Sequence, residues 1–260
     1  MDLGLQGKVA LVTGASRGIG RAIAESLAAE GVRLALAARD RAALEDVAAA
    51  VKAAGGQAFL HQADLREPDA PQAFRDAAIA HYGRIDLVVG NAGATKRGDF
   101  FALSEADWTD GFALKFHGHV RLTRAAWPDL VAAQGTLLFV IGVGGRTPGA
   151  EFTIGGSVNA ALMNFTKSMA DRGVADGVRV CAVNPGSIAT ARLQTRIRAY
   201  AAEHKLDEAA AAEGMARAMG ISRFGTPAEI ADVITFLASS KAGYAQGALI
   251  DVDGGVTRTL

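Results

Sequence analysis

The chain has 260 residues, half of them hydrophobic, which suits one α/β domain with a sizeable buried core. Its 27 basic and 27 acidic side chains leave no net charge. This balance gives no electrostatic footprint for nucleic acid or an acidic membrane surface.

Short apolar runs alternate along the chain with longer segments of helical periodicity. They predict strands at residues 9–13, 32–37, 58–61, 87–89, 136–141, 178–183 and 248–252. Helices are predicted at residues 21–30, 41–54, 69–81, 105–133, 157–172 and 227–238. This alternation implies right-handed crossovers and a parallel sheet covered on both faces. We therefore predict one doubly wound α/β domain of the Rossmann type over residues 1–260.

One segment, residues 187–225, departs from the alternation. It contains Arg192 and Arg196, one helical turn apart, and then an alanine-rich stretch. We predict a helical flap over the carboxyl edge of the sheet. The two arginines are suited to a carboxylate or a phosphate. The alternative is that they are solvated or pair with an acid such as Glu203.

A glycine-rich loop follows the first strand and opens the first helix, the context of a dinucleotide site. Its glycines allow a sharp turn, close approach of the backbone to a pyrophosphate and close helix–strand packing. The helix N-terminus offers free N–H groups and partial positive charge to phosphates. The predicted binding residues of this loop are Gly14, Ser16, Arg17, Gly18, Ile19 and Gly20.

The end of the second strand indicates which dinucleotide is bound. An acidic residue there would hold the ribose 2′-hydroxyl and repel a 2′-phosphate. The chain instead has Ala38 and then Arg39, with Arg17 in the glycine loop as a second cation. Guanidinium groups suit a phosphate, so the sequence favours NADP(H).

With these residues in hand, the chain resembles the short-chain dehydrogenase/reductase superfamily, in particular its 3-oxoacyl-acyl-carrier-protein reductase-like branch, over essentially its full length. The resemblance implies adenine contacts from Asp64 and Leu65 and a motif at Asn91, Ala92 and Gly93. It also implies a turn that holds the nicotinamide. The matching residues are Thr13–Gly20, Asp64-Leu65, Asn91-Ala92-Gly93, Asn184-Pro185-Gly186-Ser187-Ile188-Ala189-Thr190 and Val252-Asp253-Gly254-Gly255.

In that family a tetrad performs proton transfer. Tyrosine is the acid/base, lysine lowers its pKa and binds the nicotinamide ribose, serine holds the carbonyl, and asparagine orders a water. The asparagine position falls on Lys115, the serine on Gly142, the tyrosine on Gly155 and the lysine on Asn159. All four positions are altered. Phe152, the nearest aromatic residue, has no ionisable group.

Lysine and asparagine are therefore exchanged between two positions that the family places close together. We expect an ammonium group near the nicotinamide ribose, since a lysine in a half-buried apolar helix is costly without a role. Lys115 and Asn159 are the candidate catalytic residues. Other sources of the proton stay open: His119, which shares a helix face with Lys115, the substrate itself, or water. His119 and His117 are also candidates for a dimer interface.

Two functions are compatible with these motifs. The first is an NADP(H)-dependent oxidoreductase acting on a carbonyl/alcohol pair with a non-standard proton donor. The second is a non-catalytic NADP(H)-binding protein, either a redox sensor or a structural partner. The resemblance also implies a homotetramer or homodimer. Loss of tyrosine and serine favours the second function, whereas the flap and Thr190 favour the first.

The remaining expectations concern partners and compartment. Cys181 is the only cysteine, which excludes a disulfide framework and a cysteine-built metal site, and no metal is predicted. The first eight residues lack the apolar core of a signal peptide, and no apolar run approaches the length of a membrane span. We expect a cytoplasmic protein with a small-molecule substrate and no nucleic-acid or membrane partner.

Overall fold

The computed structural model describes residues 2–258, and its centre is a seven-stranded sheet in which every strand is parallel to its neighbours. The strand order is β3-β2-β1-β4-β5-β6-β7. The chain leaves β1 towards one edge and returns to β4 on its other side, which makes the β1–β4 boundary the switch point of a doubly wound sheet. The strands are β1 Val9–Thr13, β2 Arg33–Ala38, β3 Gln57–Gln62, β4 Leu87–Gly90, β5 Thr136–Val140, β6 Arg179–Pro185 and β7 Leu249–Val252. The predicted fold class is confirmed.

Nine α-helices connect and cover the strands within the described residues. They are α1 Gly18–Ala29, α2 Arg41–Ala53, α3 Ala70–Tyr82, α4 Glu105–Phe112, α5 Gly118–Ala133, α6 Thr153–Asp176, α7 Ala191–His204, α8 Glu208–Ala218 and α9 Pro227–Ala238. The N-termini of α4 and α9 follow from the local sequence. Ser104 with Asp107, and Thr226 with Glu229, form capping boxes that satisfy the first N–H groups of α4 and α9.

Two helix predictions were wrong in detail. The single helix predicted over residues 105–133 is two helices joined by a π turn, Ala113–His117, which contains Lys115. The helix predicted to begin at residue 157 begins at Thr153, so Gly155 and Gly156 lie inside it. Glycine disfavours helix by about 1 kcal/mol. Tertiary packing outweighs that preference here, because Ile154 in the same turn is fully buried.

The core consists of two apolar layers, one on each face of the sheet. Along β1, Ala10 and Val12 face the layer covered by α1, α2 and α9, whereas Leu11 faces the layer of α3, α5 and α6. Strand residues buried on both faces explain why the strands read as continuous apolar runs. The two layers fix the sheet and leave its carboxyl edge to the loops that follow the strands.

Residues 187–225, predicted as a helical flap, contain α7 and α8, which lie after β6 and carry a small core of their own. Its buried residues are Leu193, Ile197, Ala201, Ala211 and Met215. Ile188 at the base of the flap packs into the main core and bridges to Gly225. The flap is therefore joined to the sheet at its two ends, with separate packing between them. Among residues 2–258, no helix combines the length and the apolar character needed to cross a bilayer.

The separate core of the flap leads to a stability prediction. Ile197→Ala removes a side chain that is 6% exposed, and buried Ile-to-Ala changes cost about 2–5 kcal/mol. We expect faster amide hydrogen exchange confined to α7 and α8, with little change in the melting temperature. The matched control is Ile234→Ala. Ile234 belongs to α9 and packs into the main core, so this substitution should lower the melting temperature. A global loss of stability in Ile197→Ala equal to that in Ile234→Ala would contradict the prediction.

Candidate functional site

The glycine loop lies at the switch point and is shaped by contacts too close for side chains. Gly14 has φ +64°, and a Cβ on Gly20 would lie 2.2 Å from the Gly14 carbonyl oxygen. The backbone of α1 therefore approaches β1 more closely than any other residue would permit. Arg17, the residue before α1, makes no side-chain cap, and the first turn has no acid. The first N–H groups of α1 are consequently directed at the edge of the sheet, where an anion binds favourably.

Thr13 and Asn91 join the ends of β1 and β4 at the same edge. The Thr13 hydroxyl accepts hydrogen bonds from the N–H groups of Asn91 (3.0 Å) and Ala92 (3.1 Å). The Asn91 amide donates to the carbonyls of Thr13 (3.0 Å) and Gly14 (3.2 Å). Asn91 thus holds the glycine loop in position with its own side chain.

The turn predicted to hold the nicotinamide faces the glycine loop. A Cβ on Gly18 would lie 3.3 Å from the Cγ2 atom of Thr190. Pro185 ends β6, and Gly186 is pressed against Asp253, which would lie 2.7 Å from an added Cβ. Ile188 is anchored in the core, so Thr190 projects from a fixed base. The glycine loop, assigned to the pyrophosphate, and the turn ending at Thr190, assigned to the nicotinamide, therefore lie side by side at this edge of the sheet.

Arg39 and Arg17 are both exposed at the adenosine side of this cleft. Arg39 lies 3.9 Å from Asp64, whose side chain also approaches Arg66 at 3.3 Å. The acid that follows Arg39, Asp40, caps α2 by accepting from the Ala43 N–H at 3.1 Å. Its carboxylate is therefore committed to the helix. The charged groups at this point are therefore two exposed arginines and the carboxylate of Asp64.

The residues at this edge of the sheet suit a bound dinucleotide. The uncapped N-terminus of α1, the glycine contacts and the opposed Thr190 would hold the diphosphate and the nicotinamide half. Leu65, which the resemblance assigns to adenine, is buried, and Gly93 follows Asn91, whose side chain joins β1 and β4. The predicted cofactor-binding residues lie at the carboxyl ends of β1 to β4 and β6, in the loops there, at the end of β6 or in the first turn of α1. This is where ligands bind in this architecture.

The positions that the resemblance assigns to the tetrad converge just beyond β5. The Lys115 ammonium nitrogen donates to the Ile141 carbonyl at 2.5 Å, and its stem lies 3.0 Å from the position of a Cβ on Gly93. Asn159, 2% exposed on α6, places its Nδ2 atom 3.1 Å from the position of a Cβ on Gly142. Gly142 has φ +131°, a conformation in which a serine would be strained.

Phe152 fills the space above Gly155. A Cβ on Gly155 would lie 2.0 Å from Cε2 of the Phe152 ring, and one on Gly144 would lie 2.7 Å from Cε1. Arg97 stacks on the same ring, with its guanidinium carbon 3.8 Å from the ring centroid. The position that the family gives to tyrosine is thus covered by an aromatic ring and a guanidinium. Sequence reasoning set Phe152 aside and missed Arg97, for which the basic pair at residues 96–97 after Gly93 was the available signal.

Lys115 is partly buried, and this environment changes its acidity. Burial, and secondarily the charge of Arg192, lower its pKa from 10.5 to about 8. Within the described residues, the Lys115 amine has no carboxylate within ion-pair distance. The π turn places this amine against the end of β5, and such turns are frequent at functional sites. A lysine with a pKa near neutrality can exchange a proton under physiological conditions.

His119 does not serve as an alternative acid. It is 1% exposed, and its Nδ1–H donates to the Lys115 carbonyl at 2.6 Å. Burial lowers its pKa to about 4, so the imidazole is neutral at physiological pH. The ring packs against Phe139 in the core, which shows that the interface interpretation of His119 was wrong. His117, in contrast, is exposed.

A family model described as short chain dehydrogenase matches residues 8–201 of the chain. The chain belongs to the short-chain dehydrogenase family. This short-chain dehydrogenase is 33% identical to the 3-oxoacyl-acyl-carrier-protein reductase of Staphylococcus aureus over 254 residues, which cover 96% of this chain and 98% of the relative.

Solved structures of family members superpose closely on this short-chain dehydrogenase. The L-sorbose reductase of Gluconobacter frateurii, solved with NADPH and L-sorbose, has a TM-score of 0.96 at 31% identity and full coverage of both chains. A short-chain oxidoreductase of Pseudomonas aeruginosa, described as containing an atypical catalytic center, was solved with NADPH bound. It has a TM-score of 0.90 at 30% identity and covers 97% of this chain and 98% of its own.

The contact between Phe152 and Gly155 can be tested by stability. An alanine at Gly155 gains about 1 kcal/mol of helix propensity, whereas overpacking costs about 1–3 kcal/mol. We expect Gly155→Ala to destabilise the wild-type protein in urea and to stabilise the Phe152→Ala variant by about 1 kcal/mol. Gly214→Ala is the control, because nothing lies within 4 Å of its added Cβ in α8, and it should stabilise both backgrounds. Equal effects of Gly155→Ala in both backgrounds would disprove the contact.

Proposed function

We propose that this protein is an NADP(H)-dependent oxidoreductase of a carbonyl/alcohol pair, in which Lys115 replaces the family tyrosine as the proton-transfer group. The observation that carries the proposal is the Lys115 amine at the end of β5. It is held by the Ile141 carbonyl, and burial lowers its pKa to about 8. No other ionisable side chain occupies the tetrad positions, which hold Gly142, Gly155 and Asn159.

The preference for NADP(H) is supported by charge. Arg39 and Arg17 border the adenosine side, and the adjacent Asp40 is occupied in capping α2. A 2′-phosphate gains charge-assisted hydrogen bonds in such a place, whereas a free 2′-hydroxyl lacks its usual acidic partner. The sorbose reductase and the Pseudomonas oxidoreductase, both similar to this chain, were solved with NADPH.

The proton and the hydride have separate sources in this proposal. A nicotinamide dinucleotide held by the glycine loop, Asn159 and Thr190 would supply the hydride chemistry in either direction. The Lys115 ammonium donates a proton to the carbonyl oxygen as the alcohol forms, and the amine regains a proton from solvent. In alcohol oxidation the neutral amine takes the proton. The charge of Lys115 also stabilises the oxygen while it is negative.

Asn159 is assigned a positioning role. Its Oδ1 atom is buried and accepts no hydrogen bond from any described residue. Such an acceptor is costly unless a ligand satisfies it. A hydroxyl of the nicotinamide ribose would supply the missing donor, which is the contact that the family lysine makes. Asn159 on α6 therefore orients the dinucleotide, whereas Lys115, in the π turn between α4 and α5, donates and accepts the proton.

Cofactor choice gives one test. Replacing Arg39 with alanine removes one charge-assisted hydrogen bond, worth about 1.5–3 kcal/mol, so NADPH should bind about 10–100-fold more weakly. Affinity for NADH should stay unchanged. Fluorescence titration measures both. Arg41→Ala is the matched control, since Arg41 is also exposed but pairs with Glu45 at 2.8 Å. Wild-type protein that binds NADH more tightly than NADPH would refute the assignment.

Lys115 gives a second test, through the pH dependence of turnover. Reduction requires the ammonium form, so kcat/KM should fall as pH rises through about 8. Oxidation requires the free amine, so its rate should rise through the same region. Lys115→Met should lower kcat by about 10²–10⁴-fold with NADPH affinity retained. Lys115→Arg keeps a charge that does not titrate, so any residual reduction should lose the fall near pH 8.

The two candidate functions separate in one experiment. Purified protein is incubated with NADPH and a panel of carbonyl compounds, and with NADP and the matching alcohols. Turnover abolished by Gly18→Asp, which places a carboxylate at the N-terminus of α1, supports the oxidoreductase. NADPH binding without turnover across the panel, in wild-type protein, would instead establish a non-catalytic dinucleotide-binding protein. The homotetramer or homodimer and the cytoplasmic location stay predictions.

A further inference from the structure

Cations gather on the substrate side of the site. Arg97 stacks on Phe152 above Gly155, and Arg192 of the flap reaches across to donate to the Gly93 carbonyl at 3.4 Å. Arg196 lies one turn further along α7 and faces the same side. With Lys115, four positive side chains therefore lie close enough to affect one another electrostatically.

The flap neutralises its other arginines. Arg198 pairs with Glu208 at 3.3 Å, Arg223 with Glu229 at 2.6 Å, and Arg217 with Glu213. Among the described residues, no carboxylate lies within ion-pair distance of Arg192 or Arg196, and the predicted partner Glu203 pairs with neither. Acids are thus available on the flap, yet the two arginines that face the site have none.

The cations affect one another electrostatically. Burial lowers the pKa of Arg97, and the charges of Arg196 and Arg192 lower it further, while Glu151 acts in the opposite direction. Arg192 likewise lowers the pKa of Lys115. Like charges held near one another repel and destabilise the folded protein unless an anion joins them. The arrangement is therefore explained by a ligand that brings negative charge.

We propose that the substrate carries an oxyanion, a carboxylate or a phosphate, bound by Arg97 and Arg196 while its carbonyl lies at Lys115. This inference rests on the proposed function and names its substrate class. The guanidinium of Arg97, whose carbon lies 3.8 Å from the Phe152 ring centroid, can make two parallel hydrogen bonds to an oxyanion. Arg192 borders the dinucleotide cleft beside Thr190, so the diphosphate of the cofactor is the other possible source of the anion.

The test compares acids with their neutral esters. Pyruvate, acetoacetate and levulinate are each assayed with NADPH against the methyl ester, at constant ionic strength. Dihydroxyacetone phosphate is assayed against dihydroxyacetone. We expect wild-type protein to prefer at least one anion by about tenfold or more in kcat/KM, the worth of one charge-assisted contact. Arg97→Gln and Arg196→Gln should remove that preference by raising KM for the anion, so that each acid and its ester are then used with similar kcat/KM.

Arg198→Gln is the matched control, because it alters an exposed arginine of the same helix that already pairs with Glu208. It should keep the preference for the anion. Equal use of acid and ester by wild-type protein would overturn the inference. So would variants of Arg97 and Arg196 that weaken NADPH binding and leave the acid-to-ester ratio unchanged, since the anion would then be the diphosphate.

A binding measurement separates this inference from the proposed function. The melting temperature of NADPH-saturated protein is followed as each acid or ester is added. An increase with an acid but not its ester, lost in Arg97→Gln and Arg196→Gln, supports the anion site even if no compound turns over. In that case the proposed oxidoreductase function fails and the anion site stands. If no acid turns over and none raises the melting temperature above its ester, the anion site itself is refuted.

Discussion

The structure of the site depends on one contact that no side chain permits. A Cβ on Gly20 would lie 2.2 Å from the Gly14 carbonyl oxygen, so α1 begins directly above the end of β1. That closeness aims the N-terminus of α1 at the edge of the sheet and leaves room for Asn91 to join β1 and β4. Every other element of the predicted cofactor cleft, including Thr190 opposite Gly18, is placed relative to this loop. The preference for an anion at the switch point follows from backbone geometry before any charged side chain is considered.

The altered positions beyond β5 depend on one another. Gly142 adopts a φ of +131°, and its backbone lies against the amide of Asn159. Gly155 lacks a Cβ, so the ring of Phe152 lies on its backbone and provides the surface on which Arg97 stacks. Restoring one family residue would therefore collide with its neighbours: a tyrosine at Gly155 displaces Phe152, and a serine at Gly142 strains the loop. At the tetrad positions that the resemblance implies, this packing supports the proposed function, in which the site has a second arrangement and has not merely lost its side chains.

Much of this could be predicted from sequence, because periodicity and glycine spacing are local properties. The strands and the predicted flap were located, and the glycine loop and the turn ending at Thr190 were assigned to one ligand. The π turn at Lys115 and the start of α6 at Thr153 were missed, since both are set by packing that outweighs local propensity. Arg97 was missed for a similar reason. Its role depends on Phe152, 55 positions away in the chain, and no motif joins the two.

The positive charge of the site is evidence on whether the site has a function. Three guanidiniums and an ammonium at one opening destabilise the fold, and the flap shows that its acids pair with arginines elsewhere. Proteins tolerate such local costs mainly where function requires them. In the proposed function, the cations also supply the hydrogen-bonding and positive groups that the family's tyrosine and serine would provide to a carbonyl oxygen. A carbonyl oxygen needs a positive or hydrogen-bonding group as it gains charge, and Lys115 offers both with a pKa near neutrality. In the proposed function, the loss of tyrosine and the presence of several cations are two parts of one change, from a hydroxyl acid to a cationic site.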